Sequence, residues 1–263
     1  MKDAWGRTIE YVRLSLTDAC NFCCPYCRPA EITPQSQTQL LSVDEWMTVL
    51  GAFHHVGVKA VRLTGGEPLL YPYLEELLAR IKKTGWFEDL SMTTNGSLLA
   101  QRAAKLKELG LNRVNISLDS LDSDAFALCV GKANQLDSVL KGIHSAIDAG
   151  FTSVKINTVL SRHWTDDEVR SLLQYVETWP VIWRFIEYMP FQGDAFHGPT
   201  FDEWKAQLER VSGGILTENH SVYGFGPATY YNLPSGKEIG CIFSMSHSYC
   251  DTCNRVRLTS DGQ

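Results

Sequence analysis

Four of the eight cysteines fall within a span of eight residues, Cys20-Asn-Phe-Cys23-Cys24-Pro-Tyr-Cys27. A chain of 263 residues buries enough apolar surface to fold without disulfide staples. Closely spaced thiols in a reducing compartment are more often metal ligands or reactive groups than disulfides. Four thiolates could enclose a structural zinc, but Cys23 and Cys24 are adjacent, and their side chains would have to diverge to serve one tetrahedral ion. Taking Cys20, Cys24 and Cys27 leaves three ligands. Three thiolates on a four-iron, four-sulfur cluster leave one iron without a protein ligand, which suits a site that binds a substrate. Structural zinc and unliganded cysteines stay open as alternatives.

The elements that must position this loop are legible from periodicity. The runs Val12 to Leu16, Val58 to Leu63, Leu90 to Thr93, Val114 to Leu118, Val154 to Leu160 and Trp183 to Tyr188 are short and rich in apolar or β-branched residues, as strands are. Between them, apolar residues at helical spacing mark amphipathic helices: Trp46, Val49, Leu50, Phe53; Leu74, Leu77, Leu78, Ile81; and Val169, Leu172, Leu173, Val176. Ser42 with Glu45 and Thr165 with Glu168 fit capping boxes, and Gly110 and Gly150 stand where helices should stop. Repeated strand and helix imply an α/β fold with a parallel sheet, either a barrel-like wrap or a doubly wound sheet. Both put chemistry at the carboxyl ends of the strands. The cysteine loop follows the first strand and so lies at such an end.

After about Gln192 the texture changes: Gly and Pro become frequent, one helix is evident from Phe201 to Val211, and Tyr230 to Leu233 and Ile239 to Phe243 read as hairpin strands. The expected division is a first unit over 1–195 and a second over 196–263. No run of 18 apolar residues could span a bilayer, and Met1 to Glu10 lacks a signal-peptide core, so a cytoplasmic protein is expected. A net charge of -6 gives no global attraction to nucleic acid or anionic lipid, so an anionic ligand needs a local basic pocket. Cys129 and Cys241 read as buried small hydrophobes, and the seven histidines show no ligand spacing beyond the adjacent His54 and His55.

Cys-x3-Cys-x2-Cys with Tyr26 before the last cysteine resembles the radical S-adenosylmethionine (SAM) enzymes, and Gly65-Gly66-Glu67-Pro68 after the second strand agrees with it. Within that class, Arg13-Leu-Ser-Leu-Thr-Asp-Ala-Cys20, Arg62-Leu-Thr-Gly-Gly-Glu-Pro, Thr93-Thr-Asn-Gly, Asn115-Ile-Ser117-Leu-Asp-Ser-Leu, Lys155-Ile-Asn, Arg184-Phe-Ile-Glu-Tyr-Met189-Pro and Cys250-Asp-Thr-Cys253-Asn-Arg255-Val-Arg257 look like the GTP 3′,8-cyclases. That family performs the first step of molybdenum cofactor biosynthesis. The resemblance implies a partial (β/α)6 TIM-type barrel followed by the beginning of a small C-terminal auxiliary-cluster domain.

It also implies site residues. Cys20, Cys24 and Cys27 would hold a 4Fe-4S cluster that binds SAM, and Tyr26, Gly66, Ser117 and Met189 would line the SAM site. Arg13, Arg62, Thr93, Lys155, Arg255, Val256 and Arg257 would hold GTP, and Cys250 with Cys253 would ligate a second 4Fe-4S cluster. The radical chemistry would rest on SAM and the cluster, with no catalytic side chain. Cys23 stands where the family usually has a basic residue and is expected to be a bystander. Taken singly, Arg13 and Arg62 could instead pair with acidic neighbours, and Ser117 and Met189 could be ordinary strand residues.

The third ligand of the second cluster is expected just past Gln263, as is a tail ending in two glycines, so the resemblance reads this chain as C-terminally truncated with an incomplete second ligand set. Implied partners are GTP, an electron donor such as a flavodoxin or ferredoxin, and the next enzyme of the molybdopterin pathway, with room for a homodimer and no nucleic acid or membrane. Two other readings compete: a radical SAM enzyme modifying a peptide or other small molecule, and an inactive fragment that binds SAM and one cluster only.

Overall fold

The computed structural model describes residues 2–27, 40–190 and 198–263. Six strands, β1 (Tyr11–Ser15), β2 (Ala60–Thr64), β3 (Asp89–Thr94), β4 (Arg113–Ser117), β5 (Ser153–Val159) and β6 (Ile182–Ile186), pair in chain order and all in parallel. They are joined by α1 (Val43–His55), α2 (Leu74–Thr84), α3 (Ala103–Glu108), α4 (Ser123–Val130), α5 (Leu136–Asp148) and α6 (Asp166–Thr178). The expected strands lie within two residues of the observed ones. Both expected capping boxes form, and Thr200 with Glu203 adds a third ahead of α7 (Phe201–Ser212). No described helix is long and apolar enough to cross a membrane.

Alternation along each strand separates two faces. Val12, Leu14, Val61, Leu63, Met92, Val114, Ile116 and Ile156 are fully buried in one apolar core with Trp46, Leu50, Leu77 and Ile143 of the helices. Each such side chain contributes roughly 1.5–3 kcal/mol by leaving water. The opposite face carries Arg13, Arg62, Ser91, Thr93, Asn115, Ser117, Lys155, Asn157 and Arg184. A doubly wound sheet would cover that second face with helices and make it apolar. Here it is polar and encloses a cavity, so the sheet is wound as a partial barrel.

The segment after α6 extends this sheet at both edges. β7 (Thr217–Asn219), β8 (Thr229–Asn232) and β9 (Glu238–Ile242) form an antiparallel meander, and β9 pairs in parallel with β6. At the other edge β10 (Arg255–Leu258) pairs in parallel with β1. The expected hairpin is present, but it continues the barrel sheet. The boundary expected near residue 195 lies outside the described residues.

Candidate active site

The cysteine loop is clamped by the glycine loop after β2. Gly66 N–H donates to Thr17 O at 2.6 Å, and Glu67 N–H donates to Ala19 O at 2.8 Å. A Cβ on Gly66 would stand 2.3 Å from Ala19 O, and one on Gly65 would stand 2.4 Å from Thr17 O. Gly65 also holds φ at +146°. These glycines thus admit the backbone that leads into Cys20, a closer requirement than the approach of a ligand. Glu67 is fully buried and ties the loop to the end of β3, accepting from Thr94 Oγ1 and Asn95 N–H at 2.7 Å and from Leu69 N–H at 3.0 Å.

Cys20, Cys24 and Cys27 line one cavity of about 400 Å³ at the carboxyl ends of the strands. Cys23 turns away: its N–H donates to Val130 O at 2.9 Å, its carbonyl abuts Gly131, and it is exposed. Burial pushes the Cys24 thiol up to about 12, reinforced by Asp119, and raises Cys20 as well. Ligation therefore requires a centre positive enough to hold thiolates there. Among the described residues no three His, Cys, Asp or Glu side chains are grouped to hold a single metal ion. Three thiols lining one cavity supply three of the four ligands of a 4Fe-4S cluster and leave one iron open.

Tyr26, Gly66, Ser117 and Met189 line the same cavity. Tyr26 O–H donates to Asp119, which is buried and also accepts from Val159 N–H at 2.8 Å. Burial raises the Asp119 carboxyl to about 6. Asp119 was not among the expected site residues, although it stands two positions beyond Ser117 at a strand end, where this fold collects functional groups.

Below the cysteines the lumen is basic. Register places Arg257, Arg13 and Arg62 side by side across β10, β1 and β2. Arg13 Nε is buried with no hydrogen-bond partner among the described residues. Arg62 stands 5.3 Å from the Tyr11 ring and donates to Ser91 Oγ at 3.3 Å. Burial lowers Arg62 to about 9, offset by Tyr11 and reinforced by Arg13, Arg184 and Arg113. Arg257 keeps surface open to the cavity, yet desolvation and then Arg13 and Arg255 hold it below its ordinary value. Arg184, also missed in the sequence, is buried and donates to Asn115 Oδ1 at 2.7 Å and Asn157 Oδ1 at 2.6 Å. These partners, and the Tyr230 hydroxyl that also bonds it, are ordinarily neutral groups. Arg13, Arg62, Arg184 and Arg257 thus gather without a matching carboxylate among the described residues, which suits a polyanion.

Thr93 and Arg255 complete the cavity lining, with Arg255 NH2 donating to Tyr249 Oη at 3.0 Å. Lys155 is 1% exposed and stands outside that lining, and burial with Arg184, Arg113 and Arg62 lowers it to about 6. Of the triplet Arg255-Val256-Arg257, strand alternation turns the two arginines toward the cavity and packs the Val256 side chain against the apolar core. Cys253 borders a second cavity of about 430 Å³ that shares Tyr249, Gly226, Pro227 and Arg255 with the first. Cys250 is exposed, and its carbonyl accepts from Arg7 NH1 at 2.7 Å. Cys241 and Cys129 are buried as expected, and Cys241 sits in the apolar core.

A three-cysteine loop at the mouth of a partial barrel defines a class, and the comparisons agree with it. The Radical SAM superfamily model matches residues 14–176, and the model described as Molybdenum Cofactor Synthesis C matches 181–263. Among solved structures, Streptococcus suis SuiB bound to S-adenosylmethionine superposes with a TM-score of 0.69 at 13% identity, covering 96% of this chain and 59% of that one. That likeness speaks for the fold. The chain is 40% identical over 267 residues to GTP 3′,8-cyclase 2 of Pseudomonas aeruginosa, covering 99% of this chain and 80% of the relative. It is likewise 40% identical to GTP 3′,8-cyclase of Pelotomaculum thermopropionicum, covering 100% of this chain and 82% of the relative. The chain belongs to the GTP 3′,8-cyclase family.

Proposed function

We propose that this chain converts GTP to (8S)-3′,8-cyclo-7,8-dihydroguanosine 5′-triphosphate as a radical SAM lyase, the first step of molybdenum cofactor biosynthesis. The observation that carries the reading is the row of Arg257, Arg13 and Arg62 beneath a cavity walled by three cysteines. Cys20, Cys24 and Cys27 would hold the first cluster, Tyr26, Gly66, Ser117 and Met189 would contact SAM, and Cys250 with Cys253 would serve a second cluster. When bound, the first cluster and SAM supply the one-electron chemistry that removes a hydrogen atom from the ribose 3′ carbon.

The chain's own residues bind and orient. Arginine forks match phosphate oxygens, and each charge-assisted contact is worth about 1.5–3 kcal/mol. With the triphosphate on Arg13, Arg62, Arg257 and Lys155 and the purine toward Arg255, the ribose lies between the basic floor and the cysteine loop. Tyr26, braced by Asp119, fixes the wall above it. The barrel walls shield a radical from side reactions. A peptide substrate would leave the arginine row without an anion. We further infer that the electron comes from a flavodoxin- or ferredoxin-type donor, and that the product passes to the next enzyme of the pathway.

Equilibrium binding of GTP and ATP to the anaerobically reconstituted protein tests the assignment. GTP should bind more tightly, and Arg255→Ala and Arg257→Ala should each weaken it. Equal affinities untouched by either substitution would overturn it.

A further inference from the structure

β7 and β8 are antiparallel neighbours, which two to five residues suffice to join. Nine residues, 220–228, join them instead. They leave the hairpin and cross the amino-terminal mouth of the barrel. The Tyr223 carbonyl accepts hydrogen bonds from both Lys155 Nζ and Arg113 NH1, the latter at 2.9 Å. Phe225 stacks on Tyr11 with ring centroids 6.2 Å apart. Gly224 holds φ at +88°, and a Cβ there would stand 2.3 Å from the Arg113 guanidinium. Glu238 of β9 anchors the segment by accepting from Ser221 Oγ at 2.6 Å and from the Tyr223 hydroxyl. Gly226 and Pro227 then line the main cavity. The strap is thus tied to β1, β4, β5 and β9.

The chemistry of these ties differs. Arg113 is already paired with Asp89, so its bond to Tyr223 holds the strap and leaves no net charge to offer. Lys155 makes its one hydrogen bond among the described residues to the same carbonyl, which is neutral. An ammonium has three donors, so the contact fixes the direction of Lys155 and, once a ligand's charge has drawn a proton onto it, leaves two N–H groups for that ligand.

We propose that the strap 221–227 is a positioning device for the substrate's phosphates: it closes the lower mouth of the basic lumen and aims Lys155 at the terminal phosphate. The inference rests on the reading of this lumen as the triphosphate site. Phe225 and Glu238 act through the strap, and neither touches the ligand.

Calorimetric binding of GTP, inorganic triphosphate and SAM to Phe225→Ala, Glu238→Gln and Lys155→Met proteins, anaerobically reconstituted, tests it. The two strap variants should weaken GTP and inorganic triphosphate by the same factor, about tenfold for one misaligned charged hydrogen bond, and leave SAM binding unchanged. Phe225→Tyr should restore affinity. Full phosphate affinity in the strap variants with a loss in Lys155→Met would overturn the strap's role while leaving the phosphate site standing. No loss in Lys155→Met either would overturn the phosphate site itself. A matching loss of SAM affinity would mark the strap as a general stability element and overturn its positioning role.

Discussion

GTP binding should draw a proton onto Lys155. In the free protein burial, then Arg184, Arg113 and Arg62, hold this lysine at about 6, with Asp89 the opposing charge and the Tyr223 ring 5.5 Å away. At pH 8 it is therefore neutral, and charging it costs roughly 2.7 kcal/mol for two pH units at about 1.36 each. A phosphate charge about 4 Å away returns about 4 kcal/mol at an effective dielectric of 20, so the bound state favours the ammonium. Calorimetry at pH 8 in two buffers of different ionisation enthalpy should show uptake approaching one proton per site. Lys155→Met should abolish that uptake; contributions from the phosphates' own ionisation are common to both proteins and cancel. Equal uptake in the two proteins would refute the reasoning. The same depressed value has a stability sign. Between about 6 and the ordinary lysine value the unfolded chain holds a proton that the folded chain does not, so stability rises with pH across that window. Lys155→Met should flatten that rise in urea titrations.

Other substitutions test the cysteine loop. Gly66→Ala pushes a Cβ into Ala19 O and should cost about 1–3 kcal/mol, read as a lowered Tm and reduced iron retention. Glu67→Gln puts an amide donor among the N–H and O–H donors that the carboxylate now accepts from, and should destabilise by about 1–3 kcal/mol in a urea titration. Cys23→Ser should keep the iron content and SAM affinity of the parent, because Cys23 faces away from the cavity; loss of iron would place it among the ligands.

Strand positions and the cysteine loop were legible because they depend on local patterns: β-branched runs, and thiols at ligand spacing. Ser42 and Thr165 announced their helices for the same reason. The parallel pairing of β10 with β1 was hidden, since it joins residues at opposite ends of the chain and Arg255-Val-Arg257 reads as a ligand motif before it reads as a strand. Arg184 and Asp119 were within quoted motifs, but only burial and neutral partners reveal Arg184 as a spare cation, and only the bond to Tyr26 gives Asp119 a role. Gly66 lines the cavity and its missing side chain also makes room for Ala19, a contact between two loops that no local pattern encodes.

Placement of the GTP ribose between the basic floor and the cysteine loop is tested by incubating the reduced, reconstituted protein with SAM and GTP deuterated at the ribose 3′ carbon and analysing the 5′-deoxyadenosine by mass spectrometry. Deuterium should appear in that product and be lost together with turnover in Arg257→Ala. Deoxyadenosine formed in a GTP-dependent reaction but carrying no deuterium would contradict it.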